Sequence, residues 1–221
     1  MSVTRIKICC IASVKEAEQA VQAGASALGL VSEMPSGPGV IEETLISDIA
    51  SWIPPGVSSF LLTSKQDVSS IIEQQKRCRT NTIQLCDSLT EGTHADLRQA
   101  LPGIKIVQVI HVSGKQSIIE AKSLENQIDA LLLDSGNPKA ETKELGGTGR
   151  THDWLTSRQI VETVSLPVIL AGGLNPKNIY EAIQVVRPFG VDVCSGTRTE
   201  GNLDETKVKQ FCAEVRAADF N

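Results

Sequence analysis

Eight short apolar runs alternate with eight helix-periodic stretches along the 221 residues, and this strict alternation confines the chain to an α/β fold with parallel strands. The predicted strands cover residues 5–11, 26–31, 57–63, 82–86, 104–112, 129–134, 167–171 and 190–194. The predicted helices cover 14–23, 42–52, 67–77, 92–101, 115–124, 151–164, 176–186 and 204–217, and Gly24 is a good stop for the first of them. Eight units is the count of a closed (β/α)8 TIM barrel. An open doubly wound sheet is the competing arrangement, but the turn after the first strand lacks its GxGxxG glycine pattern. Residues 1–221 suit one barrel domain, because the length gives one sizeable core and no linker-like stretch interrupts it.

In such a barrel, function belongs to the loops that leave the carboxyl ends of the strands, with phosphate gripped after strands seven and eight. Strand six runs through Ala130, Leu131, Leu132 and Leu133 into an acid, Asp134, and a polar loop then leads to Gly146-Gly147-Thr148-Gly149 and a helix. Strand seven ends in Ala171-Gly172-Gly173, and strand eight in Cys194-Ser195-Gly196-Thr197. Glycines let several main-chain N–H groups approach one anion, and a helix start adds a favourable dipole. Three such loops at one end predict a phosphate cradle of Gly147, Thr148, Gly149, Gly172, Gly173, Ser195 and Gly196.

A net charge of -5 gives no electrostatic reason to expect nucleic acid. No apolar run approaches the roughly 18 residues of a membrane span, and the N-terminal stretch lacks a signal-peptide core, so no membrane partner and a cytoplasmic location are expected. The six cysteines show no CxxC spacing and are expected as free thiols. Cys9 and Cys10 do not read as a metal pair, since neighbouring strand residues point to opposite faces. The same alternation puts Arg5 and Lys7 on the face of Cys9, and turns Ile6, Ile8 and Cys10 towards the helices. Strands one and eight are neighbours in a closed barrel, and Asp192 shares the parity of Cys194, which predicts a buried Lys7–Asp192 pair. That pair either lowers the Cys9 thiol pKa or is a structural ion pair only.

Lys7-Ile8-Cys9, Ala27-Leu28-Gly29-Leu30, Gln84-Leu85, Leu132-Leu133-Asp134-Ser135, the stretch from Gly146 to Trp154, the stretch from Leu170 to Ile179 and Asp192-Val193-Cys194-Ser195-Gly196 follow one another at a characteristic spacing. In this combination the chain resembles the phosphoribosylanthranilate isomerase family of tryptophan biosynthesis over nearly its whole length. The resemblance implies a (β/α)8 barrel and a cofactor-independent Amadori rearrangement of an aminoaldose phosphate to an aminoketose, with no metal. It also implies a phosphorylated sugar substrate and a monomer or homodimer. It makes Cys9 the general base and Asp134 the general acid, and beside these Lys7, Gln84 and Arg198 are candidate substrate contacts by their places in the chain. The chemistry needs such a pair, because one group must protonate the ring oxygen to open the sugar while another removes the C2 proton.

The chain departs from the family pattern at several places. Cys10 stands where a glycine is usual, and Gly37-Pro38-Gly39 where Ser-Pro-Arg is usual, so the arginine that holds the anthranilate carboxylate is missing. Cys86-Asp87 replaces His-Gly, and Thr197-Arg198 replaces Val-Glu. These changes suggest weak turnover of phosphoribosylanthranilate, with Arg198 as a stand-in for the lost arginine or Gly39→Arg as a way of restoring it. They also leave open a phosphometabolite-binding regulatory barrel without turnover. His152 takes the place of a phenylalanine and is expected to pack, His111 to face the pocket, and His94 to be solvated.

Overall fold

The computed structural model describes residues 3–137, 140, 142–147 and 149–220. Eight parallel strands close into a barrel in sequence order. They are β1 (Arg5–Ile8), β2 (Ala27–Val31), β3 (Ser58–Thr63), β4 (Thr82–Leu85), β5 (Lys105–His111), β6 (Ala130–Asp134), β7 (Val168–Leu170) and β8 (Gly190–Val193). Helices α1 (Val14–Gln22), α2 (Glu43–Trp52), α3 (Val68–Cys78), α4 (His94–Ala100), α5 (Lys115–Leu124), α6 (Trp154–Thr163), α7 (Ile179–Val186) and α8 (Glu205–Asp219) follow the strands in turn. A small antiparallel pair, β9 (Arg198–Thr199) and β10 (Asn202–Leu203), lies between β8 and α8.

The strand sequences explain the layering. Alternate residues point outward to the helices, where Ile6, Ile8, Leu28, Leu30, Leu61, Val191 and Val193 join the buried faces of α1, α2, α7 and α8. The intervening residues fill the barrel, with Phe60, Leu62, Val107, Val109, Leu132 and Ile169 stacked inside. Strands buried on both faces carry unbroken apolar runs, and β6 is buried at every position. Helix starts follow local capping chemistry. Ser13 accepts from the Glu16 N–H, Asp67 from Ser70, and Thr93 forms a reciprocal capping box with Asp96.

Three boundaries differ from expectation for visible reasons. β1 stops at Ile8, and Cys10 adopts φ 63, which ends the strand alternation. α4 starts at His94 because Thr93 is its cap. α7 starts only at Ile179, after a turn in which the Asn178 side chain accepts from the Asn175 N–H. His94 is buried rather than solvated, since the first turn of α4 lies against β5 and the His94 ring meets the Gln108 amide at 3.2 Å.

The seam that closes the barrel is β1 against β8, in a register that pairs Lys7 with Asp192. Their side chains meet inside the barrel at 2.9 Å and are almost fully buried. Removing one partner of a buried pair strands the other charge away from water, whereas replacing both by apolar groups does not. Asp192→Ala should therefore cost roughly 3–5 kcal/mol, read as a lower midpoint in urea unfolding. The double replacement Lys7→Met with Asp192→Leu should cost less than either single one.

Candidate active site

A pocket opens at the carboxyl ends of the strands, and its lining includes both Cys9 and Asp134. Cys9 follows β1 directly and is tied to β8 by its N–H, which donates to the Val193 carbonyl at 2.8 Å. Gly29 on β2 makes room for it. A Cβ there would lie 2.7 Å from the Cys9 Sγ and 3.0 Å from the Lys7 Nζ, so thiol and ammonium converge over the same bare backbone. Burial pushes the Cys9 thiol up to about 11, and the Lys7 ammonium opposes this only in part. Lys7 does act to lower the thiol pKa, but desolvation outweighs the nearby charge. Although burial works against it, Lys7 is held charged, with a raised pKa, by Asp192 and then Cys9.

Asp134 closes β6 on the other side of the pocket. Burial raises its pKa, while the Ser135 N–H, donating at 2.7 Å, and the neighbouring His111 work the other way. Gly146 and Gly172 flank its carboxylate, and a Cβ on either would come within 2.9 and 3.2 Å of the two oxygens respectively. One group with a raised carboxyl pKa and one buried thiol therefore face a common space.

The glycine loops lie beside Asp134. Gly147, Gly149, Gly172 and Gly173 all adopt positive φ and line the pocket with Ser195. Gly173 is fixed by close approach as well, since a Cβ would stand 2.6 Å from the Arg150 backbone. Thr148 lies outside the described residues. Gly196 does not line the pocket; it packs against the Leu174 carbonyl and Asn175. Gln84 reaches the pocket floor with a buried Oε1 that has no hydrogen-bond partner.

Arg198 is not a substrate contact in this geometry. It is buried against Glu16 at 2.8 Å and donates to the carbonyls of Cys10 and Gly201. It therefore braces β9 against the start of α1. Lys7 lies beneath the pocket rather than in its lining. His111 bonds the Cys86 carbonyl at 3.2 Å and lines a neighbouring cavity with His94 and Gln108. His152 packs as expected, bonding Ser157 at 2.7 Å, and burial lowers its pKa to about 4.

Two further corrections share one cause. Cys10 does not face the helices, and it is not a free thiol: it is disulfide-bonded to Cys194, with Cα atoms 5.9 Å apart. The left-handed turn at Cys10 swings its side chain into the pocket mouth, next to the end of β8. Gly39, with φ 83, packs on that side chain, and a Cβ at position 39 would collide with Cys10. The two departures at positions 10 and 39 are therefore one steric arrangement, which neither shows alone in sequence. A simple return of the arginine does not fit. Gly39→Arg should lower the melting temperature, and should cost less in a Cys10→Gly background; equal costs in both backgrounds would show that the two sites are uncoupled.

The family model for N-(5'phosphoribosyl)anthranilate (PRA) isomerase matches residues 6–214. An N-(5'-phosphoribosyl)anthranilate isomerase from Methanocella arvoryzae is 35% identical over 214 residues, covering 96% of this chain and 98% of the relative. N-(5'-phosphoribosyl)anthranilate isomerase 2 from Methanosarcina mazei is 39% identical over 209 residues, covering 94% and 92%. Among solved structures, phosphoribosyl anthranilate isomerase from Thermotoga maritima superposes with a TM-score of 0.80 at 28% identity, covering 97% of this chain and 99% of that one. A barrel that matches in order from β1 to α8, a pocket at the carboxyl ends of its strands, and relatives alike over almost their full length lead to one conclusion: the chain belongs to the N-(5'-phosphoribosyl)anthranilate isomerase family.

Proposed function

We propose that this protein catalyses the Amadori rearrangement of N-(5'-phosphoribosyl)anthranilate to the corresponding 1-(o-carboxyphenylamino)-1-deoxyribulose 5-phosphate, without a cofactor. The observation that carries the reading is that Cys9 and Asp134 face one pocket whose side is built from positive-φ glycines. Gly147, Gly149, Gly172, Gly173 and the main chain at Ser195 hold the phosphate, with Thr148 and Gly196 retained as candidates on sequence grounds. With the phosphate on the β6–β8 side, the ribose reaches across the floor between Asp134 and Cys9, and the Gln84 Oε1 is left to accept from a sugar hydroxyl.

Asp134 donates its proton to the ring oxygen as the C1–O bond breaks, and the nitrogen lone pair forms the C1 iminium. Cys9, as thiolate, then removes the C2 proton, giving an enol that becomes the 2-ketone as C1 is protonated. The raised carboxyl pKa supports the first role. A thiol near 11 is the resting form, so the thiolate must be called up by positive charge. Lys7 supplies a standing share of it, and the iminium supplies more once the ring has opened. No observation favours a regulatory barrel without turnover. A phosphate ester does not cross a lipid bilayer unaided, so we place the enzyme with its substrate in the cytoplasm, as a monomer or homodimer. Reducing compartments disfavour bonds such as Cys10–Cys194, but neither sulfur takes part in the proton transfers.

Purified protein given N-(5'-phosphoribosyl)anthranilate should consume its fluorescence, and its gene should rescue a tryptophan auxotroph that lacks this isomerase; failure of both rejects the reading. Cys9→Ala or Asp134→Ala should each lose on the order of a hundredfold or more in kcat. Gly173→Val should abolish sugar-phosphate binding, because its Cβ has no space even before the valine methyls are added.

The charge of Lys7 can be tested separately. In the double variant Lys7→Met with Asp192→Leu, loss of the cation disfavours the thiolate, so the Cys9 alkylation curve should shift to higher pH and turnover near neutrality should fall. An unchanged alkylation curve would make the pair purely structural.

A further inference from the structure

The substrate of the proposed reaction carries two anions, and the pocket as described accounts for only one. The phosphate cradle lies on the β6–β8 side, so the aromatic ring must point to the opposite end, towards β2–β4. That end is apolar, walled by Val31, Met34, Leu62 and Leu145, and suits a benzene ring. The ring also bears a carboxylate, which needs a cation or hydrogen-bond donors to leave water without a large penalty. Position 39 cannot supply a side chain, because Cys10 fills its space.

Most other described cations near the pocket point elsewhere. Arg198 is locked on Glu16, Lys7 lies under the floor and is held by Asp192, which lines the pocket, and Arg150 pairs with Glu144 beside the cradle. Lys65 sits between the rim residues Ser64 and Gln66 but does not line the rim itself, and it acts on Glu43 and Asp67. Lys143 is different. Its carbonyl accepts from the Ser36 hydroxyl at 2.6 Å, which fixes the β6–α6 loop to a pocket-lining residue. Its ammonium meets Asp87 at 2.5 Å and Gln66 at 3.4 Å. Leu145, two residues on, and Cys86, which precedes Asp87, both line the apolar end. The ammonium thus stands at the rim of the space that the ring would occupy.

We propose that Lys143 receives the substrate's aromatic carboxylate, exchanging its pair with Asp87 for one with the ligand. This rests on the proposed function and names the specificity contact of the same pocket. The exchange is cheap for two reasons. The Lys143 end of the pair is 41% exposed, so water screens its attraction to Asp87, although the Asp87 side chain is itself buried at 9%. Asp87 also keeps a second partner when released, because the Ser88 N–H donates to its other oxygen at 2.8 Å. Glu33 and Asp87 share this rim, so without the ammonium a carboxylate would approach two acids. Lys143 is the one cation among the described side chains that line this rim, so the preference for a carboxylated ring is assigned to it.

The test compares N-(5'-phosphoribosyl)anthranilate with N-(5'-phosphoribosyl)aniline, which lacks only the carboxylate, in wild type, Lys143→Met, Lys143→Arg and Asp87→Asn. Lys143→Met should lose roughly ten- to a hundredfold in kcat/KM on the carboxylated substrate, through KM, and little on the aniline substrate. Lys143→Arg and Asp87→Asn should keep the preference for the carboxylate. Equal losses on both substrates in Lys143→Met and Asp87→Asn would make the pair a loop latch and overturn the proposal, as would no loss at all. If wild type turns over neither substrate, the functional reading fails separately. The same comparison is then made by calorimetry with reduced 1-(o-carboxyphenylamino)-1-deoxyribulose 5-phosphate and its counterpart without the carboxylate, and a Lys143-dependent preference still supports the contact while its absence overturns it.

Discussion

The structure depends on the seam between β1 and β8. An eight-stranded parallel sheet has two edges until it closes, and here closure places Arg5 to Ile8 beside Gly190 to Val193. The Lys7–Asp192 pair lies in that seam, inside the barrel and one residue pair below the catalytic end. Only closure gives these two charges to one another. It also brings Cys9 across from Asp134, and sets the glycine loops after β6, β7 and β8 around one opening. In an open sheet Cys9 and Ser195 would lie at opposite edges.

Burial is the main electrostatic influence on both catalytic candidates. It raises the carboxyl of Asp134 and the thiol of Cys9, so each is pushed towards its neutral form. For the acid this is useful, because a protonated carboxyl can donate. For the base it is a cost, and Lys7 offsets it only partly. The buried thiol therefore suits a substrate that develops positive charge during reaction, because the iminium formed on ring opening favours the thiolate beside it.

Much of this was legible in sequence because it rests on patterns of period two and on glycines at strand ends. The eight units, the parity that pairs Lys7 with Asp192, and the pocket positions of Cys9, Asp134, Gly172 and Gly173 all follow from such patterns. What was hidden depends on single backbone torsions and on contacts remote in sequence. Nothing in the run Cys9-Cys10-Ile11 announces the left-handed turn at Cys10, and from that turn follow the Cys194 disulfide and the closure of position 39. Arg198 looked available because its partner, Glu16, lies 182 residues away. Lys143 and Asp87 carried no motif, being 56 residues apart in the loops after β4 and β6, which the sheet sets either side of β5. His94 looked solvated because the cavity that encloses it is built from two neighbouring units.

The central claim is that Asp134 opens the ring and Cys9 takes the C2 proton, in two separable steps. Single-turnover rates with substrate deuterated at ribose C2 address it most directly, measured in Cys9→Ala and Asp134→Ala. The account expects a full primary isotope effect in Cys9→Ala, where C–H cleavage limits, and a much smaller one in Asp134→Ala, where ring opening limits. An isotope effect that is large in Asp134→Ala and absent in Cys9→Ala would contradict it by reversing the two roles.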